Sequence, residues 1–161
     1  MREVSRSTRL ARSAEQVWEE ARTLGGVNHE LAPFLRMTVP RGIPADTTLE
    51  ELPVGETVGR SWILLFGFLP TDYDDLRIME MEPPRRFLER SRTLNFSTWE
   101  HERTVEPDAG AGSVITDRLR FELRPVLRRV PGFGGLAKRV VEAIFTHRHR
   151  RLRRRDTAAH D

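Results

Sequence analysis

The sequence predicts an α+β domain in which one long C-terminal helix covers a curved antiparallel sheet. Three observations lead there. An opening strand is followed by one or two short helices. From Glu56 to Arg124 the chain carries strand signals at hairpin spacing, and its last stretch reads as a single long amphipathic helix. A curved sheet must cover its apolar concave face, and this helix is the only element large enough to do so. A cavity then remains wherever the facing side chains are small or splayed.

Val4 to Leu10 alternates weakly between apolar and polar and reads as a strand, with Arg2 its earliest start. Ser13 caps the first helix, with Gln16 as the capping-box partner; Val17, Trp18, Ala21 and Leu24 form its apolar stripe and Gly25-Gly26 ends it. A short second helix is expected over 27–31, before Pro33. Residues 36–54 hold three prolines and mixed polarity, a loop around one short strand. A long strand over 58–69 turns at Pro70-Thr71-Asp72 into a second over 73–81. Pro83-Pro84 breaks it before a third over 86–93. Strands over 94–106 and 113–124 flank Pro107-Asp108-Ala109-Gly110-Ala111-Gly112, a hairpin loop. After Pro131-Gly132-Phe133-Gly134-Gly135 the long helix runs to about Arg154. Residues 1–156 thus form one domain, and 157–161 a frayed tail.

Composition bounds the function. The chain has 161 residues, 38% hydrophobic and 32% charged, enough for one domain with a sizeable core. No apolar run approaches the roughly 20 residues of a membrane span. The first thirty residues carry no signal-peptide core, so a cytoplasmic protein is expected and the Asn95-Phe96-Ser97 sequon carries no meaning. The absence of cysteine excludes disulfides, thiol catalysis and thiolate metal or haem ligation. The net charge of +3 hides an asymmetry: residues 138–155 carry +7 and the rest of the chain −4. Arginine outnumbers lysine 26 to 1, as in proteins from GC-rich bacterial genomes.

Several polar residues fall on apolar faces. Around Trp99 the even positions Thr98, Glu100, Glu102 and Thr104 are the solvent face, so Trp99, His101, Arg103 and Val105 point inward. In the next strand Ile115, Asp117, Leu119, Phe121 and Leu123 point inward, which puts a carboxylate in the middle of an apolar face. As hairpin neighbours the two strands bring His101, Arg103 and Asp117 onto one surface. On the C-terminal helix, Leu136, Ala137, Val140, Val141, Ile144, Phe145 and Leu152 make a stripe that contains Arg148 and leaves His149 and Arg150 off it. An ionised group left alone there would cost several kcal/mol, so it must be paired, wet or bound to a ligand. Three readings stay open: a structural network fixing helix to sheet, a pocket that orients the polar end of an apolar ligand, and a catalytic His101 oriented by Asp117.

Other features point to less. His147 and His149 lie about 200° apart around the helix, and His29 is isolated, so no metal site is expected. Gly132-Phe133-Gly134-Gly135 lacks the Lys-Ser/Thr of a phosphate loop and reads as a flexible lead-in to the helix. The arginines from Arg148 to Arg155 would suit an anionic surface or nucleic acid, but no interleaved aromatics accompany them. A solvated helix end, favoured by the helix dipole, is the simpler reading.

The opening residues VSRSTRLARSAEQVWEEA, together with GVNHELAPFLRMTVP (26–40), TWEHERTVEP (98–107), VITDRLRF (114–121) and IFTHRHRRLRR (144–154), resemble the SRPBCC superfamily. This is the group of START, birch-pollen-allergen-like and polyketide cyclase/lipid-transport proteins, here in an uncharacterised bacterial ligand-binding branch. The resemblance implies a helix-grip fold, with about seven antiparallel strands wrapped around the C-terminal helix and two short helices after strand 1. It also implies that Asn28, Glu30, Trp99, His101, Asp117 and Arg148 belong to the branch pattern. A hydrophobic or amphipathic small molecule then binds between sheet and helix. Trp62, Phe66, Met79, Trp99 and Phe121 are the expected apolar walls. His101, Arg103, Asp117 and Arg148 are the polar contacts, with Glu30 at the entrance. The alternatives are a cyclase or dehydratase using His101 with Asp117, and an adaptor using the C-terminal arginines. No cofactor is expected, and the chain is expected to be a monomer or weak homodimer.

Overall fold

A computed structural model describes residues 1–158. Strand β1 (Arg2–Leu10) leads into helices α1 (Ala14–Ala21) and α2 (Leu24–Leu31), then the short strand β2 (Leu35–Met37). Strands β3 (Thr57–Leu65), β4 (Leu69–Glu82), β5 (Arg86–Thr93), β6 (Phe96–Pro107) and β7 (Ser113–Leu123) follow. The short helix α3 (Pro125–Arg128) and the long helix α4 (Phe133–Ala158) close the chain. The seven strands form one antiparallel sheet in the order β1-β7-β6-β5-β4-β3-β2. The sheet curls into a half-barrel around α4, the helix-grip arrangement. α4 has 26 residues, about 39 Å at 1.5 Å per residue, long enough to span the sheet.

Local chemistry sets the first turns. Ser13 and Gln16 close the expected capping box, with Gln16 N donating to Ser13 Oγ at 3.3 Å and Ser13 N to Gln16 Oε1 at 3.1 Å. α1 does not run on to Gly25-Gly26. It stops at Ala21 because Thr23 Oγ1 accepts from Gly26 N at 3.0 Å and starts α2 three residues earlier than expected. Gly26 is required there, since a Cβ would run into the carbonyl oxygen of Glu20.

The turn between β3 and β4 also lies elsewhere than at Pro70-Thr71-Asp72. It is made by Phe66, Gly67 and Phe68, with Phe66 and Gly67 at φ 53° and 83° and Leu65 paired with Leu69. Glycine supplies one of the two left-handed positions without strain. Pro70 then sits in β4 itself, opposite Leu64, beyond the point where β5 begins to pair with β4 at Asp74. A missing N–H costs little at a hairpin tip with one neighbour. At the other end of the chain, Thr157 and Ala158 continue α4 rather than fraying, while 159–161 lie outside the described residues.

Two apolar clusters hold the layers together. Leu10, Val17, Trp18, Phe87, Val105, Ile115 and Leu152 join α1 and the end of α4 to one end of the sheet. Val4, Leu119, Phe121, Val141 and Phe145 join the middle of α4 to β1 and β7. Fully burying one such side chain is worth about 1.5–3 kcal/mol.

Candidate functional site

Between β3–β6 and the first half of α4 the packing opens into a cavity of about 540 Å³. Its walls are mainly apolar, with Leu31, Ile63, Leu65, Leu76, Trp99 and Ile144 among them. Leu136 and Val140 both line it and are exposed to solvent, so it reaches the surface beside the first turns of α4. Its charged lining residues are Asp72 and Asp74 on β4, Glu89 on β5, His101 and Arg103 on β6, Arg148 on α4 and Arg22 after α1.

His101, Arg103 and Asp117 meet as the strand alternation requires. Asp117, fully buried, accepts from Arg103 Nε at 2.7 Å and His101 Nε2 at 2.8 Å on Oδ1, and from Arg103 Nη2 at 2.8 Å on Oδ2. Arg103 spans to a second carboxylate, donating from Nη1 to Glu30 Oε1 at 2.8 Å and from Nη2 to Glu30 Oε2 at 2.9 Å. Arg148 reaches the same Glu30 oxygen with Nε at 2.9 Å. Glu30 is therefore a buried hub, 3% exposed, rather than an entrance residue. Asp117 lies behind the cavity wall and does not itself line the space.

Burial alone would raise the carboxyls of Asp117 and Glu30, but the arginines overcome it. Arg103 with His101 holds Asp117 well below the usual carboxylate range, and Arg103 with Arg148 lowers Glu30. Burial would also discharge His101; its bond to Asp117 and the neighbouring Glu89 outweigh that and raise its pKa.

His149, placed off the helix stripe by the sequence, belongs to this network. It is 1% exposed, with Nε2 3.0 Å from Asp117 Oδ2 and Nδ1 2.8 Å from Thr8 Oγ1. Its spacing from Phe145 and Leu152, four and three residues, was the available signal. The apolar residues at the start of α4 shifted the apparent stripe, because Leu136 and Val140 border the cavity opening instead of the core. Asp156 continues the buried line and binds the backbone N–H groups of Ala11 and Arg12 at 2.6 and 3.1 Å.

The sequence also missed Asp74 and Glu89. Both face the cavity from β4 and β5, where Asp74, Leu76 and Ile78 lie opposite Thr93, Ser91 and Glu89 on the inward face. Ser91 Oγ donates to Glu89 Oε1 at 2.8 Å, and His101 Nδ1 is 3.8 Å from Glu89 Oε2. Burial and the charge of Glu89 raise the Asp74 carboxyl well above its ordinary value. Glu89 is lowered against the effect of burial by His101 and by its hydrogen bond with Asp74. The two carboxyls are hydrogen-bond partners whose pKa values are pushed apart, Asp74 up and Glu89 down. Adjacent apolar residues Phe87 and Leu88, both buried, blur the alternation that would have exposed this face to sequence reasoning.

Of the expected apolar walls, Trp99 lines the cavity. Trp62 and Phe66 do not: the inward residues of β3 are Ser61, Ile63 and Leu65, so Trp62 lies on the outer face against Tyr73, and Phe66 sits exposed in the hairpin turn. Met79 falls at the irregularity between Ile78 and Glu80 and also stays outside the cavity. Phe121 is buried behind Trp99, its ring 5.9 Å from the indole. At the C-terminal end, Arg155 pairs with Glu20 at 3.1 Å and Arg151 donates to His29 O at 3.2 Å, while Arg150, Arg153 and Arg154 face solvent. Among the described residues no His, Asp and Glu group could hold a metal ion, and no helix is long and apolar enough to cross a membrane.

The model of a domain of unknown function, DUF8410, matches residues 8–155. The chain belongs to the DUF8410 family. A search of the curated proteins finds no match to it. Solved structures similar to this DUF8410 domain include a START superfamily protein from Mycobacterium smegmatis, 12% identical at a TM-score of 0.67, with 98% of each chain covered. A protein from Chromobacterium violaceum is 13% identical at a TM-score of 0.68, covering 94% of this chain and 95% of its own. The Zhui aromatase/cyclase from a Streptomyces species is 14% identical at 0.66, covering 94% and 90%. At such identities the likeness establishes the fold, which is SRPBCC-like, and leaves the activity to the site itself.

Proposed function

We propose that this DUF8410 protein binds a hydrophobic or amphipathic small molecule between the sheet and α4, as a carrier or sensor. The observation that carries the proposal is the cavity: about 540 Å³ and mainly apolar, with a cluster of ionisable groups on its β4–β6 side. That is the size and composition of small-molecule sites in general. A domain with no need of a ligand would close such a space, since unfilled volume costs stability.

The acid–base enzyme reading has less support. A general base needs a free acceptor nitrogen, but His101 faces carboxylates on both sides, Asp117 at 2.8 Å and Glu89 at 3.8 Å. Those neighbours raise its pKa. The adaptor reading retains only the three solvent-facing arginines.

Native mass spectrometry of the purified protein, followed by denaturing analysis of what it releases, tests the binding reading. A stoichiometric apolar or amphipathic molecule is the expected result. Ala137→Trp, which projects an indole into the cavity from α4, should abolish its retention while leaving the fold intact by circular dichroism. An empty wild-type protein whose melting temperature is unmoved by lipid and metabolite extracts would overturn the proposal.

A further inference from the structure

This arginine-rich chain gives nearly every buried carboxylate a guanidinium. Asp117 and Glu30 share Arg103, Glu100 has Arg90 at 2.7 Å and Arg120 at 3.3 Å, and Asp156 has Arg12 at 3.1 Å. The inward carboxyls of β4 and β5 are the exception. Among the described residues, no arginine or lysine pairs with Asp72, Asp74 or Glu89. Asp72 takes its hydrogen bonds from neutral donors: the N–H groups of Tyr73 and Leu94, at 2.8 and 2.7 Å, and Asn95 Nδ2 at 2.9 Å. Glu89 has Ser91 and, at longer range, His101. Asp74, 5% exposed and facing the cavity, has an Oδ1 that no protein donor reaches.

An aromatic surface adjoins these carboxyls. Trp99 pairs in register with Ser91, beside the carboxyl pair, and its indole lines the cavity with Phe96, the two rings 5.3 Å apart. Carboxyls next to the face of an indole suit a cation. The charged groups facing the pair from other elements are His101 on β6, held between Asp117 and Glu89, and Arg148 on α4, turned onto Glu30. His101 reaches Glu89 only at 3.8 Å and is shared with Asp117, and Arg148 is committed to Glu30.

Resting on the ligand-binding reading above, we infer that the cavity takes an apolar ligand bearing a protonated amine, with the ammonium group at Asp74 and Glu89 beside Trp99. An ammonium brings three donors, one of them for the unpartnered Oδ1 of Asp74, and a positive charge closer than His101 comes to Glu89. A hydroxyl brings one donor and no charge. A carboxylate meets three carboxyls, while the guanidiniums that would attract it are already paired.

Decylamine, decanol and decanoate share one chain and differ only in the head group, so their binding to the full-length protein at neutral pH, by calorimetry or quenching of Trp99 fluorescence, tests the inference. Decylamine should bind at least about tenfold tighter than the other two, about one decade in Kd. Asp74→Asn is isosteric with the protonated acid, and it should erase most of that preference, read as the ratio of decylamine to decanol affinity. Equal or tighter binding of decanol or decanoate to the wild type overturns the inference whether or not any variant folds. So does an amine preference that survives both Asp74→Asn and Glu89→Gln. If decanol binds without amine preference, the ligand class is wrong and the cavity reading stands; if none of the three binds, both fall.

Discussion

The two acidic clusters around the cavity are built from the same residue types and end in opposite states. At Asp117 and Glu30, two carboxylates, two guanidiniums and two imidazoles saturate one another, and both acids are held below their ordinary range. At Asp74 and Glu89, barely a strand away, no guanidinium pairs among the described residues, and the Asp74 carboxyl is raised well above its ordinary value. The first cluster ties α2, α4, β6 and β7 together and needs nothing further. The second is incomplete in the protein alone. Buried charge therefore does not mark a functional site by itself; buried charge that the fold leaves uncompensated does.

The largest effect should come from breaking the closed cluster. Asp117→Ala strands Arg103 and both histidines in the core and should cost about 3–5 kcal/mol in denaturant unfolding, the usual consequence of removing one partner of a buried pair. A loss below about 1 kcal/mol would mean that water replaces the carboxylate and the cluster is not closed. Glu30→Gln keeps the shape and some acceptor capacity but leaves Arg148 and part of Arg103 without a charge partner, so about 1–3 kcal/mol is expected by the same measurement.

Asp74→Asn sharpens the contrast through pH. A carboxyl raised by folding contributes stability below its unfolded pKa, and that contribution disappears as pH rises through the folded value. The variant, which cannot ionise, should therefore match the wild type only below the ordinary carboxylate range and melt progressively higher as the pH rises from there towards the raised pKa of Asp74, the difference then levelling off. Asp117 has the opposite sign: its depressed pKa contributes stability above the unfolded value, lost as pH falls through the folded one. Melting temperatures of wild type and Asp74→Asn that keep a constant offset from strong acid up through neutral pH would remove the distinction between the clusters. The smallest effect belongs to the hairpin tip, where Phe68→Ser at an exposed position should change stability by less than about 0.5 kcal/mol.

Much of the closed cluster was legible in the sequence because strand alternation has period two. Once Trp99 and Val105 are read as inward, His101 and Arg103 follow, and Asp117 follows from Ile115 and Leu119 in the same way. The open cluster was not legible. In β5 the buried neighbours Phe87 and Leu88 give no alternation to read, and in β4 the irregularity between Ile78 and Glu80 shifts the phase part-way along the strand. Trp62 was misread for a related reason: bulk and apolarity suggested a wall, while the phase of β3 turns the ring outward.

The sequence by itself determined the element order, the capping box at Ser13, the inward face of β6 and β7 and the presence of polar groups on it. All of these depend on neighbours a few residues apart. Only the tertiary structure decided which carboxylates received a guanidinium. Arg103 reaches Glu30 across 73 residues and Arg148 reaches it across 118. No local period carries a pairing over such separations; the curl of the sheet and the path of α4 across it bring those partners together, and among the described residues they leave Asp74 and Glu89 without a paired arginine.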